Sequence, residues 1–104
     1  MVAVTHLCPV CGYDGLYDPP RSPTTGGGSY EICPSCGFEF GVTDDDLGIS
    51  YVDWRRLWIR EGMQWQSVGR PQPHHWDPAT QLHRLDAGPQ PLLSRPEGGA
   101  VPPL

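Results

Sequence analysis

All four cysteines of this sequence lie in two copies of one five-residue pattern, Cys-Pro-X-Cys-Gly, at residues 8–12 and 33–37. Two cysteines separated by two residues can supply a pair of thiolates from one tight turn. Two such turns complete the tetrahedral sulfur shell that Zn²⁺ prefers. The spacing therefore predicts one structural zinc ion per chain in a closed four-thiolate site. The predicted ligands are Cys8, Cys11, Cys33 and Cys36.

The other residues of the repeated pattern suit such a turn. Pro9 and Pro34 fix φ at its start, and Gly12 and Gly37 can adopt the positive φ that its exit requires. The turn then directs backbone N–H groups at the sulfurs, which offsets the negative charge around the ion. The loop between Cys11 and Cys33 has 21 residues. This is close to the spacing typical of CxxC…CxxC zinc sites.

Other uses of the cysteines are disfavoured by their surroundings. Residues 1–7 lack the basic region and apolar stretch of a secretory signal, so we expect the protein in a bacterial cytoplasm. Two disulfides would need an oxidising compartment and are therefore disfavoured. A thioredoxin-type redox pair belongs at a helix start in a βαβ unit, and no such pattern surrounds either turn. His6 could replace or supplement a ligand, but four cysteines already complete the site. No apolar run reaches the length of about 18 residues that a membrane span needs.

The charge of the chain is unevenly distributed and predicts the kind of partner. The net charge is −5, of which residues 1–54 carry −7 and residues 55–104 carry +2. An acidic ribbon should repel phosphates, so we expect no nucleic-acid binding. A protein with a basic surface is the expected partner, since complementary charge selects encounters. The candidate partner-binding residues are Asp44, Asp45, Asp46, Trp58 and Trp65. Trp58 and Trp65 could form a groove together with Trp76, although aromatic residues at this spacing more often pack in a core.

The first half of the chain predicts a zinc ribbon with rubredoxin-like knuckles. Short segments with strand-like patterns lead into or out of the cysteine turns at residues 13–17, 29–32 and 38–40. Between the first two lies a segment rich in proline and glycine that cannot continue a strand. We therefore expect about three short antiparallel strands, within a small α+β fold.

An amphipathic helix is predicted after the ribbon. Ser50 is a suitable N-cap with an acid three residues later, and Gly62 ends the pattern. The apolar stripe consists of Tyr51, Trp54, Leu57 and Trp58, which we expect to pack on the ribbon.

A short second helix is predicted through Leu85. Asp77 is its N-cap, Pro78 its first residue, and Leu82 and Leu85 face inward. Residues 1–86 then form one zinc-ribbon domain. Residues 87–104, rich in proline and glycine, are expected to be a disordered tail.

Histidines in the second half leave an enzymatic alternative open. His74, His75 and His83, together with Asp77, could form a second metal site or an acid–base pair. No accompanying nucleophile or cleft is evident. We therefore predict a non-enzymatic protein-interaction or adaptor module and keep a metal-dependent hydrolase as a weaker alternative.

The sequence resembles the small bacterial cysteine-rich proteins of the CPCC family. That resemblance implies a zinc-ribbon fold without an established activity. Members carry a cysteine where this chain has Ser35, so any role of that thiol is absent here. The matching residues are Cys8, Pro9, Cys11, Gly12 and Tyr13, residues 30–34 and 36–40, and the helix around residues 51–62.

The turns are also similar to those of rubredoxin, which holds one redox-active iron in the same four-sulfur geometry. The similar residues are 11–13, 17–19 and 33–37. That resemblance implies an iron electron carrier as an alternative. Rubredoxins have a longer loop between the turns and no helix like residues 51–62, so zinc stays the main prediction.

Overall fold

The computed structural model describes residues 4–86 of the chain. Two helices follow a half built from turns: α1 spans Tyr51–Arg60 and α2 spans Pro78–Asp86. The helix α1 lies within its predicted stretch, and α2 begins at the predicted Pro78 and extends one residue beyond the predicted end at Leu85. The tail predicted at residues 87–104 lies outside the described residues.

The first half contains isolated bridges where the sequence predicts strands. Within residues 4–86 no run of paired residues is long enough to form an extended strand at 13–17, 29–32 or 38–40. Pairing stops because the cysteine turns interrupt it, and because Tyr30 has a φ of 65°, which strand geometry does not allow. The antiparallel bridges join His6 to Leu16, Arg21 to Gly28 and Ile32 to Glu39.

The helix α1 begins and ends as its sequence predicts. Ser50 is the N-cap, and its hydroxyl accepts a hydrogen bond from the Asp53 N–H at 3.0 Å. That bond satisfies one of the N–H groups that a helix start leaves without a partner. After Arg60 the chain leaves the helix, and Gly62 adopts a φ of 100°.

Aromatic side chains join α1 to the second cysteine turn. The Phe38 ring lies 5.0 Å from Phe40, 5.3 Å from Tyr51 and 5.9 Å from Trp54, measured between ring centroids. The contacts with Tyr51 and Trp54 are edge-to-face, which suits the ring quadrupoles. Trp58 completes this core with 3% of its surface exposed. Three residues of the predicted stripe, Tyr51, Trp54 and Trp58, therefore pack on the cysteine-bearing half.

The segment between the helices returns across both cysteine turns. Trp65 packs edge-on against Tyr13 and Trp76, with ring centroids 5.6 and 5.3 Å apart. Asp77 then caps α2 by accepting a hydrogen bond from the Ala79 N–H at 3.1 Å. In the part of the chain described here, neither helix is long and apolar enough to cross a membrane.

Candidate metal centre

The four cysteine sulfurs converge in the interior. The Sγ atoms of Cys8 and Cys36 are 4.0 Å apart, and those of Cys11 and Cys33 are 3.7 Å apart. All four Sγ atoms lie within 4.8 Å of one another, and all four residues are buried. No other group of three or more histidines, cysteines or acids within residues 4–86 could hold an ion. The structure thus brings together all four predicted ligands.

The arrangement fits a four-coordinate ion. A tetrahedron with metal–sulfur bonds of about 2.3 Å has sulfur–sulfur edges of about 3.8 Å. The two measured separations of 3.7 and 4.0 Å lie on either side of that value. Thiolates are soft ligands that suit zinc or iron and not calcium or magnesium. His6 is not part of the cluster, since it pairs with Leu16.

The two turns have the same backbone hydrogen bonds. The Gly12 N–H donates to the Cys8 carbonyl at 2.9 Å, and the Gly37 N–H donates to the Cys33 carbonyl at 2.8 Å. The φ angles of the two glycines are 86° and 82°. A left-handed residue at this position lets the chain leave the turn, and only glycine adopts it without strain. The positive φ predicted for both glycines is confirmed.

Charged side chains stabilise the first turn. Arg55 of α1 donates from Nε to the Val10 carbonyl at 2.7 Å and from Nη2 to the Pro9 carbonyl at 2.8 Å. Arg84 of α2 donates from Nη1 to the Gly12 carbonyl at 2.8 Å. A four-thiolate site with a divalent ion carries a net charge of −2. Two guanidinium groups beside the first turn therefore offset charge as well as satisfy carbonyls.

Neutral groups serve the second turn. The Trp54 indole N–H donates to the Cys36 carbonyl at 2.9 Å. The Pro34 carbonyl accepts from the backbone N–H groups of Gln66 and Ser67 at 3.0 and 2.9 Å. These bonds fix the turn, since buried carbonyls without partners are costly.

One side chain touches both turns. Gln81 of α2 is 3% exposed, and its Nε2 donates to the Cys11 carbonyl at 3.2 Å and to the Ser35 hydroxyl at 2.9 Å. Its Oε1 accepts a hydrogen bond from the Trp76 indole at 2.8 Å. Ser35 is fully buried. The amide therefore links the first turn, the second turn and the segment that precedes α2.

Sequence reasoning missed these supporting residues. Arg55 lies four residues after Tyr51 and three before Trp58, on the apolar stripe of α1. Gln81 and Arg84 lie three residues apart on one face of α2. Polar side chains within an apolar face need buried partners. The sequence signal for these residues was therefore a polar side chain on an apolar helix face. The carbonyls of the cysteine turns are the partners that such side chains need.

Burial and neighbouring thiols set the protonation of the metal-free cluster. Burial raises the pKa of the Cys33 and Cys36 thiols, because a thiolate is poorly solvated there. The pKa of Cys11 is lowered, because its thiolate accepts hydrogen bonds from the other thiols, that of Cys33 foremost. Binding of an ion by all four thiolates must therefore release protons.

The predicted acidic surface is partly neutralised within the chain. Arg21 donates from Nη2 to Asp44 Oδ2 and from Nη1 to Asp45 Oδ2, both at 2.8 Å. The Arg21 hydrogen bond lowers the pKa of the Asp45 carboxyl. Asp44 also accepts from the Gly41 N–H at 2.7 Å, and its side chain is 13% exposed. Asp46 is exposed and forms no ion pair with any residue of the described range.

The two predicted partner-binding tryptophans differ in burial. Trp58 is buried, and its indole donates to the Gln64 carbonyl at 3.0 Å. Trp65 is half-buried, and its indole donates to the Arg70 carbonyl at 2.8 Å. The three tryptophans do not line one common groove: Trp65 and Trp76 line one surface cavity, whereas Trp58, only 3% exposed, borders a separate one of about 140 Å³.

The histidine cluster considered as a second metal site is not assembled. His74 and His75 line a cavity of about 240 Å³ together with Asp77. Asp77 is occupied as the cap of α2, and a hydrogen bond from Thr80 lowers the pKa of its carboxyl. His83 is not among the residues that line the cavity. No histidine belongs to a three-ligand group within residues 4–86.

Two proteins of Bacillus subtilis (strain 168) are similar to this chain. It is 32% identical to YoaQ over 76 residues, which cover 61% of this chain and 64% of YoaQ. It is 30% identical to YozI over 76 residues, which cover 57% of this chain and 60% of YozI. Both relatives are described as uncharacterized. The chain thus spans less than two thirds of either relative.

No family model matches the chain, and no solved structure matches it. The resemblance to the CPCC family and the zinc-ribbon fold class therefore remain predictions.

Proposed function

We propose that this protein is a non-enzymatic zinc-ribbon module, in which one structural zinc ion joins two cysteine turns and the folded surface binds another protein. The observation that carries the proposal is the convergence of four buried Sγ atoms within 4.8 Å. Each short sulfur pair combines one cysteine from each turn. An ion held there would crosslink two segments that are distant in the sequence.

The closed ligand set supports a structural role for the metal. A catalytic zinc site keeps one position for water or substrate, whereas a structural site fills all four positions with protein ligands. Here four thiols occupy the cluster, and at most 2% of the surface of any of them is exposed. An ion bound by all four thiolates would have no coordination position left for substrate.

The metal assignment is tested by elemental analysis of protein produced with zinc and iron both present. We expect one zinc per chain and a colourless protein. Removal of the metal by a chelator should abolish the helical circular dichroism, because a small domain depends on its metal for folding energy. A chain that stays folded without metal would contradict the structural role.

The adaptor role is supported by the acidic character of the first half, whose net charge is −7. The clearest candidate contact is the exposed Asp46, beside Leu47, which is 64% exposed. Asp44 and Asp45 hold the fold through Arg21, so their substitution would test stability and not recognition. A basic surface on the partner would complement Asp46.

Crosslinking in the producing cells, followed by mass spectrometry, tests the partner surface. Asp46→Asn should reduce capture of the partner several-fold. Asp53→Asn is the matched control, since Asp53 is an exposed acid on α1 whose contact with Arg56 is 3.9 Å long. Equal capture by the wild type and by Asp46→Asn would exclude this surface.

A rubredoxin-like iron electron carrier is the second candidate. The same four thiols suit iron, and Cys36 lines a surface cavity of about 140 Å³, which places one ligand near solvent. The test is the visible spectrum of the purified protein. A thiolate-to-iron band that bleaches and returns on reduction and reoxidation would support this candidate and displace the zinc assignment.

A further inference from the structure

The contacts of α2 with the metal centre depend on one buried amide. The buried residue of α2 is Gln81, whose Nε2 donates to Cys11 in the first turn and to Ser35 in the second. Both bonds form together only when the two turns are held side by side. The two hydrogen bonds of Gln81 therefore depend on the relative position of the turns, which a bound ion would fix.

The helix α2 also lies directly against the first turn. A Cβ atom placed on Gly12 would collide with the backbone carbonyl of Gln81. Arg84, one turn further along α2, donates to the Gly12 carbonyl at 2.8 Å. The first turn is thus covered by α2 and cannot move outward while the helix stays in place.

The helix α2 has little stability of its own. It contains nine residues, and isolated helices shorter than about 12 residues are marginal in water. Its packing includes the half-buried Leu82, but its buried contact is the Gln81 amide. Elements with few buried contacts open before the rest of a structure does.

We propose that α2 is a latch on the metal centre and that Gln81 is the positioning residue that joins the latch to both cysteine turns. Docked α2 prevents the first turn from opening, and its release precedes loss of the ion. This rests on the metal binding proposed above. Because coupling is reciprocal, docking of α2 must also increase the affinity of the centre for its ion.

The rate of zinc transfer to a coloured chelator tests the latch in the full chain. Gln81→Ala removes three hydrogen bonds and leaves their partners unpaired, so we expect at least about tenfold faster transfer. His83→Ala is the matched control, because His83 lies on the same helix with its side chain 77% exposed. Its transfer rate should stay within about twofold of the wild type. An unchanged rate in Gln81→Ala would overturn the latch.

Hydrogen exchange distinguishes release of the latch from global unfolding. In zinc-loaded Gln81→Ala, the amides of residues 82–85 should exchange faster, whereas the Trp54 indole N–H, which donates to Cys36, should stay protected. If this variant does not fold, Ser35→Ala decides. That variant loses one bond to Gln81 and also a hydroxyl that hydrogen-bonds the Cys11 thiolate. We expect about fivefold faster zinc transfer, and the selective exchange at residues 82–85 is the result that assigns it to the latch. Equal acceleration at both places, in whichever variant folds, would refute the latch.

Zinc content, measured on the same samples, separates the two proposals. A wild-type chain that binds no metal would refute the proposed function together with the latch. A zinc-loaded chain whose metal release is insensitive to Gln81 would refute the latch alone.

Discussion

The two cysteine turns share four of their five residues and the same backbone conformation but differ in what surrounds them. Each has a glycine with φ near 85° and the same internal hydrogen bond. Arg55 and Arg84 bind carbonyls of the first turn. The Trp54 indole and two backbone N–H groups bind carbonyls of the second. A repeated motif can thus fold identically twice while the later chain gives each copy a different electrostatic environment.

The two turns also differ in the pKa values of their cysteine thiols. In the metal-free cluster burial raises the pKa of both thiols of the second turn, Cys33 and Cys36. The thiol with the lowered pKa, Cys11, belongs to the first turn. The pKa shifts of these coupled thiols therefore differ in direction between Cys11 of the first turn and the two cysteines of the second turn. The second turn holds protons that an incoming ion must displace.

The largest predicted effect is loss of the fold when a cysteine of either turn is replaced. Cys8→Ser in the first turn and Cys33→Ser in the second should each lose zinc and unfold, since an ion that crosslinks two turns needs both. Structural zinc supplies roughly 10–16 kcal/mol of apparent binding free energy at neutral pH. Zinc content and circular dichroism at equal protein concentration measure this. A folded, zinc-bound variant at either position would contradict the crosslinking role.

Zinc affinity should depend steeply on pH. Because the pKa values of Cys33 and Cys36 are raised, both thiols carry protons in the metal-free state at neutral pH and lose them on binding. Release of these two protons by itself makes the affinity rise about 100-fold for each pH unit, and fall by the same factor as pH decreases. Competition with a chelator of known affinity between pH 6 and 8 measures the slope. A slope of zero would exclude proton release by the second turn.

Alanine at the two turn glycines should destabilise the protein to different extents. Gly12→Ala and Gly37→Ala both place a side chain at positive φ, which costs about 1–2 kcal/mol. At Gly37 the new Cβ would lie 3.4 Å from the side chain of exposed Gln66, which can move. At Gly12 it would meet the backbone of α2. We therefore expect Gly12→Ala to lose about 2 kcal/mol more in denaturant unfolding of the zinc-loaded protein. Equal losses would show that α2 does not constrain the first turn.

The smallest predicted effect concerns charge. Arg55→Met keeps the aliphatic stem but loses two charge-assisted hydrogen bonds, for which we expect about 2 kcal/mol, whereas Trp54→Phe loses one neutral bond, for about 1 kcal/mol. The loss of zinc affinity in Arg55→Met should be smaller at high salt than at low salt, because screening reduces the contribution of the guanidinium. The loss in Trp54→Phe should not depend on salt. Titrations at low and high salt compare the two variants. The same salt dependence in both would show that Arg55 acts by packing alone.

The sequence by itself determined which cysteines cluster, the turn glycines and the position of α1. These depend on local chemistry: the spacing within each Cys-Pro-X-Cys-Gly motif, the φ that glycine permits, and the Ser50 cap that accepts from the Asp53 N–H. Local rules act over a few residues, so the printed sequence contains the information they need.

Only the tertiary structure decided which residues support the centre. Gln81 lies 70 positions from the Cys11 carbonyl that it binds, and Arg55 lies 45 positions from that of Val10. Tertiary pairing likewise engaged Asp44 and Asp45 with Arg21 and placed Trp58 in the core. The predicted strands did not extend beyond single bridges because the turns, once formed, fix where each segment begins and ends. Contacts between distant residues depend on how the chain packs, and neither periodicity nor spacing specifies that packing.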